Sequence, residues 1–276
     1  MQQLFITDLD HTFLHSSQKV TPYSKKVWNK KAKETPLSIA TARSFNKTEE
    51  FFKGMRLNTP LILLDGAMVV TPEKKLIEIK TLKKDIVNLI INEGRKFQIE
   101  PFIIALKDHR TLEESFLLPP IINMNSYQDT LIKKSYSKDK RVKFCKKIEG
   151  VNDTLKVVYM GEESILRPLS IQIKELLKNE IEVKLAPEKY MGCYFLTLLH
   201  PLADKAHALK KVNEYLDISL KNTTVFGDSL NDIEMFKIAG TSIAVSNALD
   251  EVKKEASIIL PHSNDEDGVA RYLDKV

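Results

Sequence analysis

The chain has 276 residues, 43% of them hydrophobic and 29% charged, an ordinary globular balance with enough apolar sequence for a substantial core and room for two medium domains. A net charge of +5 suits anionic ligands such as phosphate esters without demanding nucleic acid. The two cysteines, Cys145 and Cys193, lie far apart in no CxxC pattern, which argues against a disulfide framework or zinc site and suits a reducing compartment.

The N-terminus lacks a basic and apolar leader, and no apolar run approaches the ~18 residues of a membrane span. A soluble cytoplasmic protein is expected. Leu4–Ile6 is a short apolar run that ends in polar residues, as a buried parallel strand does. Thr21 can cap a helix with Pro22 at its first position. Leu37–Ala40 is a second strand, Ser44 opens a second helix, and Leu61–Leu64 is a third strand closed by Asp65 and Gly66. Strands alternating with helices predict a doubly wound, mostly parallel α/β sheet.

Beyond Lys80 the pattern becomes α+β. Leu82, Ile86, Leu89 and Ile90 mark one helix; Ile165, Leu169, Ile173, Leu176 and Leu177 mark another. Pro101–Leu106, Thr154–Met160, Ile181–Leu185 and Tyr194–Leu199 are strand-like. From Leu202 the alternation resumes, with Leu202, Ala206, Leu209, Val212 and Leu216 on one helical face, a strand at Val225–Phe226 and a helix over Ile233–Ile238. The division expected is an α/β core from residues 1–80 and 190–276, interrupted by an inserted α+β domain at 81–189.

Four pieces carry chemistry. Asp8 and Asp10 follow the first strand directly, where ligands of open α/β sheets bind. One carboxylate can attack phosphorus; the other can protonate a leaving oxygen and then deprotonate water. On its own this pair is more often a loop or capping turn. Thr41 ends the second strand, where a hydroxyl and backbone amides can hold a phosphoryl oxygen, or simply cap a helix. Lys205, near a helix start, can neutralise charge on that group. Gly227-Asp228-Ser229-Leu230-Asn231-Asp232 follows a strand and opens a helix. Asp228 can bind magnesium there, Asp232 can support the metal, and Asn231 can donate to phosphate. Ser229 with Asp232 also resembles a capping box, and both readings can hold together.

The set DLDHT at 8–12, SIATAR at 38–43, Lys205 and GDSLND at 227–232 resembles, in order, the four motifs of haloacid dehalogenase (HAD) superfamily phosphatases. The long insertion, IAVSNA at 243–248 and NDEDGVA at 264–270 are similar to the Cof-like, class IIB branch. The resemblance implies a Rossmann-like core with an α+β cap. It implies Asp8 as nucleophile and magnesium ligand, and Asp10 as general acid/base with its backbone carbonyl on the metal. Thr41 and Lys205 would bind the phosphoryl group, and Asp228, helped by Asp232, the Mg²⁺. Small phosphorylated metabolites, sugar phosphates first, would be the substrates. Four positions depart from the pattern: His11, Ala42 and Ala206 stand where glycine is usual, and Asp65 where asparagine is.

Arg43 in the core, and His109 and Arg110 after an inserted-domain strand, are candidate substrate contacts, although an exposed turn is the commoner role for the last two. A phosphomutase or phosphotransferase of the same plan is the nearest alternative. A nucleic-acid-binding role rests on the lysine-rich stretch 133–147 with Tyr136 and Phe144 interleaved; a solvated basic surface is the commoner outcome. A silent regulator has no need of all of Asp8, Asp10, Lys205 and Asp228.

Overall fold

The computed structural model describes residues 2–188 and 191–276. In chain order the strands are β1 (Leu4–Thr7), β2 (Leu37–Ile39), β3 (Leu61–Leu63), β4 (Met68–Val70), β5 (Leu76–Ile79), β6 (Phe102–Asp108), β7 (Glu113–Leu118), β8 (Val142–Phe144), β9 (Thr154–Gly161), β10 (Glu182–Glu188), β11 (Cys193–Leu199), β12 (Thr223–Gly227), β13 (Thr241–Ala244) and β14 (Ile258–Ile259). The helices are α1 (Pro22–Lys31), α2 (Phe45–Phe51), α3 (Lys84–Lys96), α4 (Ser126–Leu131), α5 (Glu163–Leu177), α6 (Lys205–Leu216), α7 (Ile233–Ile238), α8 (Asp250–Glu255) and α9 (Gly268–Leu273). The chain forms two compact units, residues 1–79 with 204–276, and residues 80–203. The junction expected between 189 and 190 falls outside the described residues. The units part instead at Ala203 and Asp204, because β11 pairs with β9 and β10 and so belongs to the second unit's sheet.

The first unit is α/β. Its main sheet runs β14-β13-β12-β1-β2, and every neighbouring pair is parallel. A parallel bridge from Ala40 to Ile62 carries the sheet on toward β3. The interior strand β1 is fully buried, and its neighbours come from opposite ends of the chain: Leu4 pairs with Thr223, Phe5 with Leu37. Helix α1 begins as expected, with Thr21 Oγ1 accepting from the Ser24 N–H and Pro22 first in the helix. The antiparallel β3-β4-β5 ribbon was not anticipated. Its first turn takes Leu64, Asp65 and Gly66 through positive φ (52°, 60° and 103°), a run that only glycine adopts freely.

The second unit has a six-stranded sheet, β10-β11-β9-β6-β7-β8, antiparallel except for β7 with β8. Helices α3 and α5 bury Ile86, Val87, Ile90, Ile91, Leu166, Leu169, Ile173 and Leu177 with that sheet's Ile103, Val157 and Leu196. The expected faces were slightly rotated: Leu89, Ile165 and Leu176 are exposed, each at the rim of the apolar stripe that faces the sheet. Leu202 is also exposed, since the helix starts only at Lys205. In the lysine-rich stretch, Arg141 is held by Glu114 and Asp139, and the Tyr136 ring packs edge-on against Phe116 at 4.9 Å. Lys133 pairs with Asp129 and Lys147 with Glu149. Among the described residues no helix is long and apolar enough to cross a membrane.

Candidate active site

The parallel sheet ends in a row of loops. The Asp8 N–H donates to Phe226 O at 3.0 Å and the Ala40 N–H to Thr7 O at 2.9 Å, so the strand ladder itself sets Asp8, Thr41 and Asp228 at the carboxyl ends of adjacent strands. After Asp8 the chain turns sharply, with His11 in the left-handed region (φ 58°, ψ 7°). A side chain there costs about 1 kcal/mol relative to glycine, which explains why glycine is usual at this position. The turn is clamped from the other end of the chain. Asn247 Nδ2 donates to His11 O at 2.8 Å, Asn264 Nδ2 to Leu14 O at 2.9 Å, and the Ser16 N–H to Asp265 Oδ1 at 2.6 Å.

Lys205 is the first residue of α6, whose start is capped by Asp204 accepting from the His207 N–H at 2.9 Å. Gly66 lets this start pack closely: a Cβ on it would lie 2.2 Å from Asp204 O. The Lys205 ammonium, with no side-chain exposure, donates to Asp8 Oδ1 and Asp232 Oδ1, each at 2.7 Å. Asp232 Oδ2 accepts from the N–H groups of Asp228 (3.0 Å) and Ser229 (3.1 Å), so both its oxygens are committed to holding the loop and the lysine. The expected capping box of Ser229 and Asp232 is present. Gly227 leaves room for that carboxylate, because a Cβ there would stand 2.5 Å from Asp232 Cγ. Asp228 Oδ1 accepts from Thr12 Oγ1 at 2.8 Å.

Asp8, Asp228 and Asp232 each bring a carboxylate oxygen within 4.8 Å of the others. Burial, with Asp232 and Asp228 adding to it, pushes the Asp8 carboxyl well above the usual carboxylate range, against the opposing Lys205 charge. Burial and the Asp232 charge likewise push Asp228 up to about 7, against the Thr12 hydrogen bond. For Lys205, burial favours the neutral amine, but Asp232 and Asp8 together outweigh it and push its pKa up. An all-oxygen cluster with excess negative charge fits a hard divalent cation such as Mg²⁺. Asp8 and Asp228 are its natural holders, because each has given only one oxygen to Lys205 or Thr12.

The remaining expected residues divide. Thr41 is fully buried beside this row; its Oγ1 accepts from the Arg43 N–H at 3.2 Å and retains its own proton to give. Asp10 is not one of the three carboxylates gathered within 4.8 Å, although its charge adds to the push on Asp228. Arg43 grips Asp10 with both arms, Nε to Oδ2 at 2.7 Å and Nη2 to Oδ1 at 2.5 Å, while stacking on Phe51 at 4.5 Å. Arg43, expected on the substrate, is thus on Asp10 in this structure. Asn231 Nδ2 donates to Asp65 Oδ1 at 3.1 Å. His109 and Arg110 belong to the second unit, on the turn between β6 and β7, where His109 Nε2 pairs with Asp153 at 3.0 Å. Sequence reasoning missed Thr12, Asn247 and Asn264 as supports of the site. All three stood within quoted runs (DLDHT, IAVSNA and NDEDGVA), but none carries a local signal of what it holds.

Several known proteins match this chain along nearly its whole length. The 5-amino-6-(5-phospho-D-ribitylamino)uracil phosphatase YcsE of Bacillus subtilis is 27% identical over 273 residues, covering 98% of this chain and 94% of that protein. A haloacid dehalogenase-like hydrolase from Bacteroides thetaiotaomicron has a similar structure, with a TM-score of 0.77 at 22% identity over 100% of this chain and 99% of the other. The HAD subclass IIB sugar phosphatase BT4131 gives a TM-score of 0.77 at 18% identity, over 99% and 98% of the two chains. The family model of haloacid dehalogenase-like hydrolases matches residues 5–273, and the chain belongs to that family.

Proposed function

We propose that this protein is a magnesium-dependent phosphatase that hydrolyses small phosphate monoesters through an aspartyl-phosphate on Asp8. The observation that carries the reading is the buried Lys205 ammonium bridging Asp8 and Asp232 at 2.7 Å each, with Asp228 alongside. One buried ammonium among three carboxylates leaves negative charge for a divalent cation to balance and offers a fixed positive charge to a phosphoryl group.

Asp8 attacks phosphorus, and the ester P–O bond breaks as the leaving oxygen takes a proton from Asp10. Asp10 then takes a proton from water, which attacks the aspartyl-phosphate, releasing phosphate and restoring Asp8. Lys205 stays protonated throughout, held so by Asp232, and opposes the charge that accumulates on the phosphoryl oxygens. Thr41 and Asn231 hold those oxygens by hydrogen bonds. Mg²⁺, held by Asp8 and Asp228 with Asp232 behind them, would supply charge neutralisation. Two like unit charges ~4 Å apart otherwise repel by roughly 4 kcal/mol at an effective dielectric of 20. Arg43 orients Asp10 with one hydrogen bond to each oxygen, which leaves each oxygen a further lone pair to carry the proton.

Sugar phosphates are the favoured substrates. The relatives named above act, by their names, on a ribityl phosphate and on sugar phosphates, which share a phosphorylated polyhydroxy chain. The second unit is proposed as the cap, the part that selects among leaving groups. The commitment of Arg141 and Tyr136 to internal contacts favours a small phosphorylated partner over nucleic acid. The two free cysteines suit a cytoplasmic setting.

The test is hydrolysis of para-nitrophenyl phosphate and a panel of sugar phosphates, in Mg²⁺ and in EDTA. Release that needs Mg²⁺ and disappears in Asp8→Asn is expected. No release from any compound by the folded protein would refute the reading and favour a phosphotransferase that needs an acceptor.

A further inference from the structure

We propose that Asp65 is a positioning residue: it fixes which way the Asn231 carboxamide points, and thereby keeps one Asn231 N–H for a phosphoryl oxygen. The inference deepens the phosphatase reading and rests on it. Asp65 is 5% exposed and sits at φ 60°, a left-handed conformation that aspartate and asparagine tolerate better than other side chains. Its carboxylate offers only acceptors. Asn231 meets it with Nδ2 at 3.1 Å, while at the other end of the same amide Ser229 Oγ donates to Asn231 Oδ1 at 2.6 Å.

These two contacts have the same polarity, an acceptor facing the amide nitrogen and a donor facing the amide oxygen. Rotating the amide by 180° would set its oxygen against a carboxylate oxygen, so a single orientation satisfies both neighbours. Nδ2 carries two hydrogens, and Asp65 takes one. Ser229 is itself fixed, its N–H donating to Asp232 Oδ2 at 3.1 Å, and Asp232 Oδ1 holds Lys205 at 2.7 Å. A continuous chain of hydrogen bonds thus runs Asp65–Asn231–Ser229–Asp232–Lys205–Asp8. An asparagine at 65 could donate as well as accept, so either amide orientation would find a partner there and the selection would be lost.

The experiment compares wild type, Asp65→Asn, Asn231→Ala, these two combined, and the swapped pair Asp65→Asn with Asn231→Asp, all in saturating Mg²⁺. It reads kcat and KM for para-nitrophenyl phosphate and the inhibition constant of inorganic phosphate. Asp65→Asn keeps the backbone conformation accessible, so the protein should fold. Its phosphate inhibition constant should rise about three- to tenfold, the scale of one neutral hydrogen bond, with kcat changed less. Asn231→Ala should show a similar rise, and combining it with Asp65→Asn should add nothing further, as expected for residues that act through one contact. The swapped pair rebuilds the hydrogen bond between the two loops and should still bind phosphate poorly. Unchanged or tighter phosphate binding in Asp65→Asn would overturn the proposal, since it would mean the carboxylate acts only as a repelling charge. Recovery of wild-type affinity in the swapped pair would overturn it too, leaving a purely structural tie. A wild type that neither hydrolyses the ester nor binds phosphate would overturn the phosphatase reading and this inference with it.

Discussion

Stripping the divalent cation from the carboxylate cluster and raising the pH from 5 to 8 should destabilise the first unit. In the cation-free protein the Asp228 carboxyl is pushed up from 3.8 to about 7 by burial and by Asp232. The folded state then keeps its proton across an interval where the unfolded chain has lost it. Stability from this group is therefore fully present below about pH 4 and is lost as pH rises towards 7, at roughly 1.4 kcal/mol per unit. Over the whole interval the loss amounts to at most about 4 kcal/mol; the fall between pH 5 and 7 is its clearest part. Carboxyls held low by hydrogen bonds, such as Asp265 and Glu266, act in the opposite direction but titrate below that window. Trp28, the chain's single tryptophan and fully buried in the first unit, provides the signal. Urea unfolding followed by its fluorescence in EDTA should give a midpoint that falls from pH 5 to 7 and levels off above. Mg²⁺ should flatten that fall, and Asp228→Asn should reduce it in EDTA, leaving the part contributed by the Asp8 carboxyl, which burial also pushes up. A level EDTA profile in the wild type, or a slope of full size in Asp228→Asn, would show that burial does not protonate this carboxyl.

Three further expectations concern the same loops. Asp10→Asn should slow hydrolysis of alkyl phosphates by about 10²–10⁴-fold, the usual contribution of a general acid, while nitrophenyl phosphate suffers less; equal losses for both would remove the acid role. Lys205→Met leaves two buried carboxylates facing each other and should cost about 3–5 kcal/mol in unfolding free energy at neutral pH, and a loss under about 1 kcal/mol would mean the ammonium is not a structural counter-ion. Gly227→Ala drives a methyl group into Asp232 and should cost about 1–3 kcal/mol and lower Mg²⁺-dependent turnover. Wild-type turnover in that variant would mean that Asp232 has slack to move.

How much of this was legible depends on how local each signal is. Asp8 and Asp228 could be placed because each directly follows a short run of buried β-branched and aromatic residues, so strand end and chemistry share one segment. The Thr21 cap was equally readable, its partner Ser24 being three residues away. The β4–β5 ribbon was not, because Met68–Val70 and Leu76–Ile79 are short and their turn runs through Lys74 at positive φ (68°), which no propensity suggests. The grip of Arg43 on Asp10 spans 33 residues and that of Thr12 on Asp228 spans 216; such pairs are created by the sheet and carry no sequence signature. The second junction was misjudged for a related reason. Strand β11 looks the same from the sequence whichever sheet it joins, and only its pairing with β9 and β10 assigns it.

The place of β1 inside the parallel sheet has a consequence for biosynthesis. Strand β1 needs β12 beside it, with Leu4 against Thr223, so a nascent chain emerging from the ribosome must hold its earliest buried strand half-paired until four-fifths of the protein has been made. Residues 80–203 form a continuous stretch with its own core and can complete their fold during that wait. Contacts of such long sequence separation form slowly, and an apolar strand with an open edge invites pairing with other chains. Slowing translation just after residue 203 would prolong that exposure, whereas rapid completion of β12 would end it.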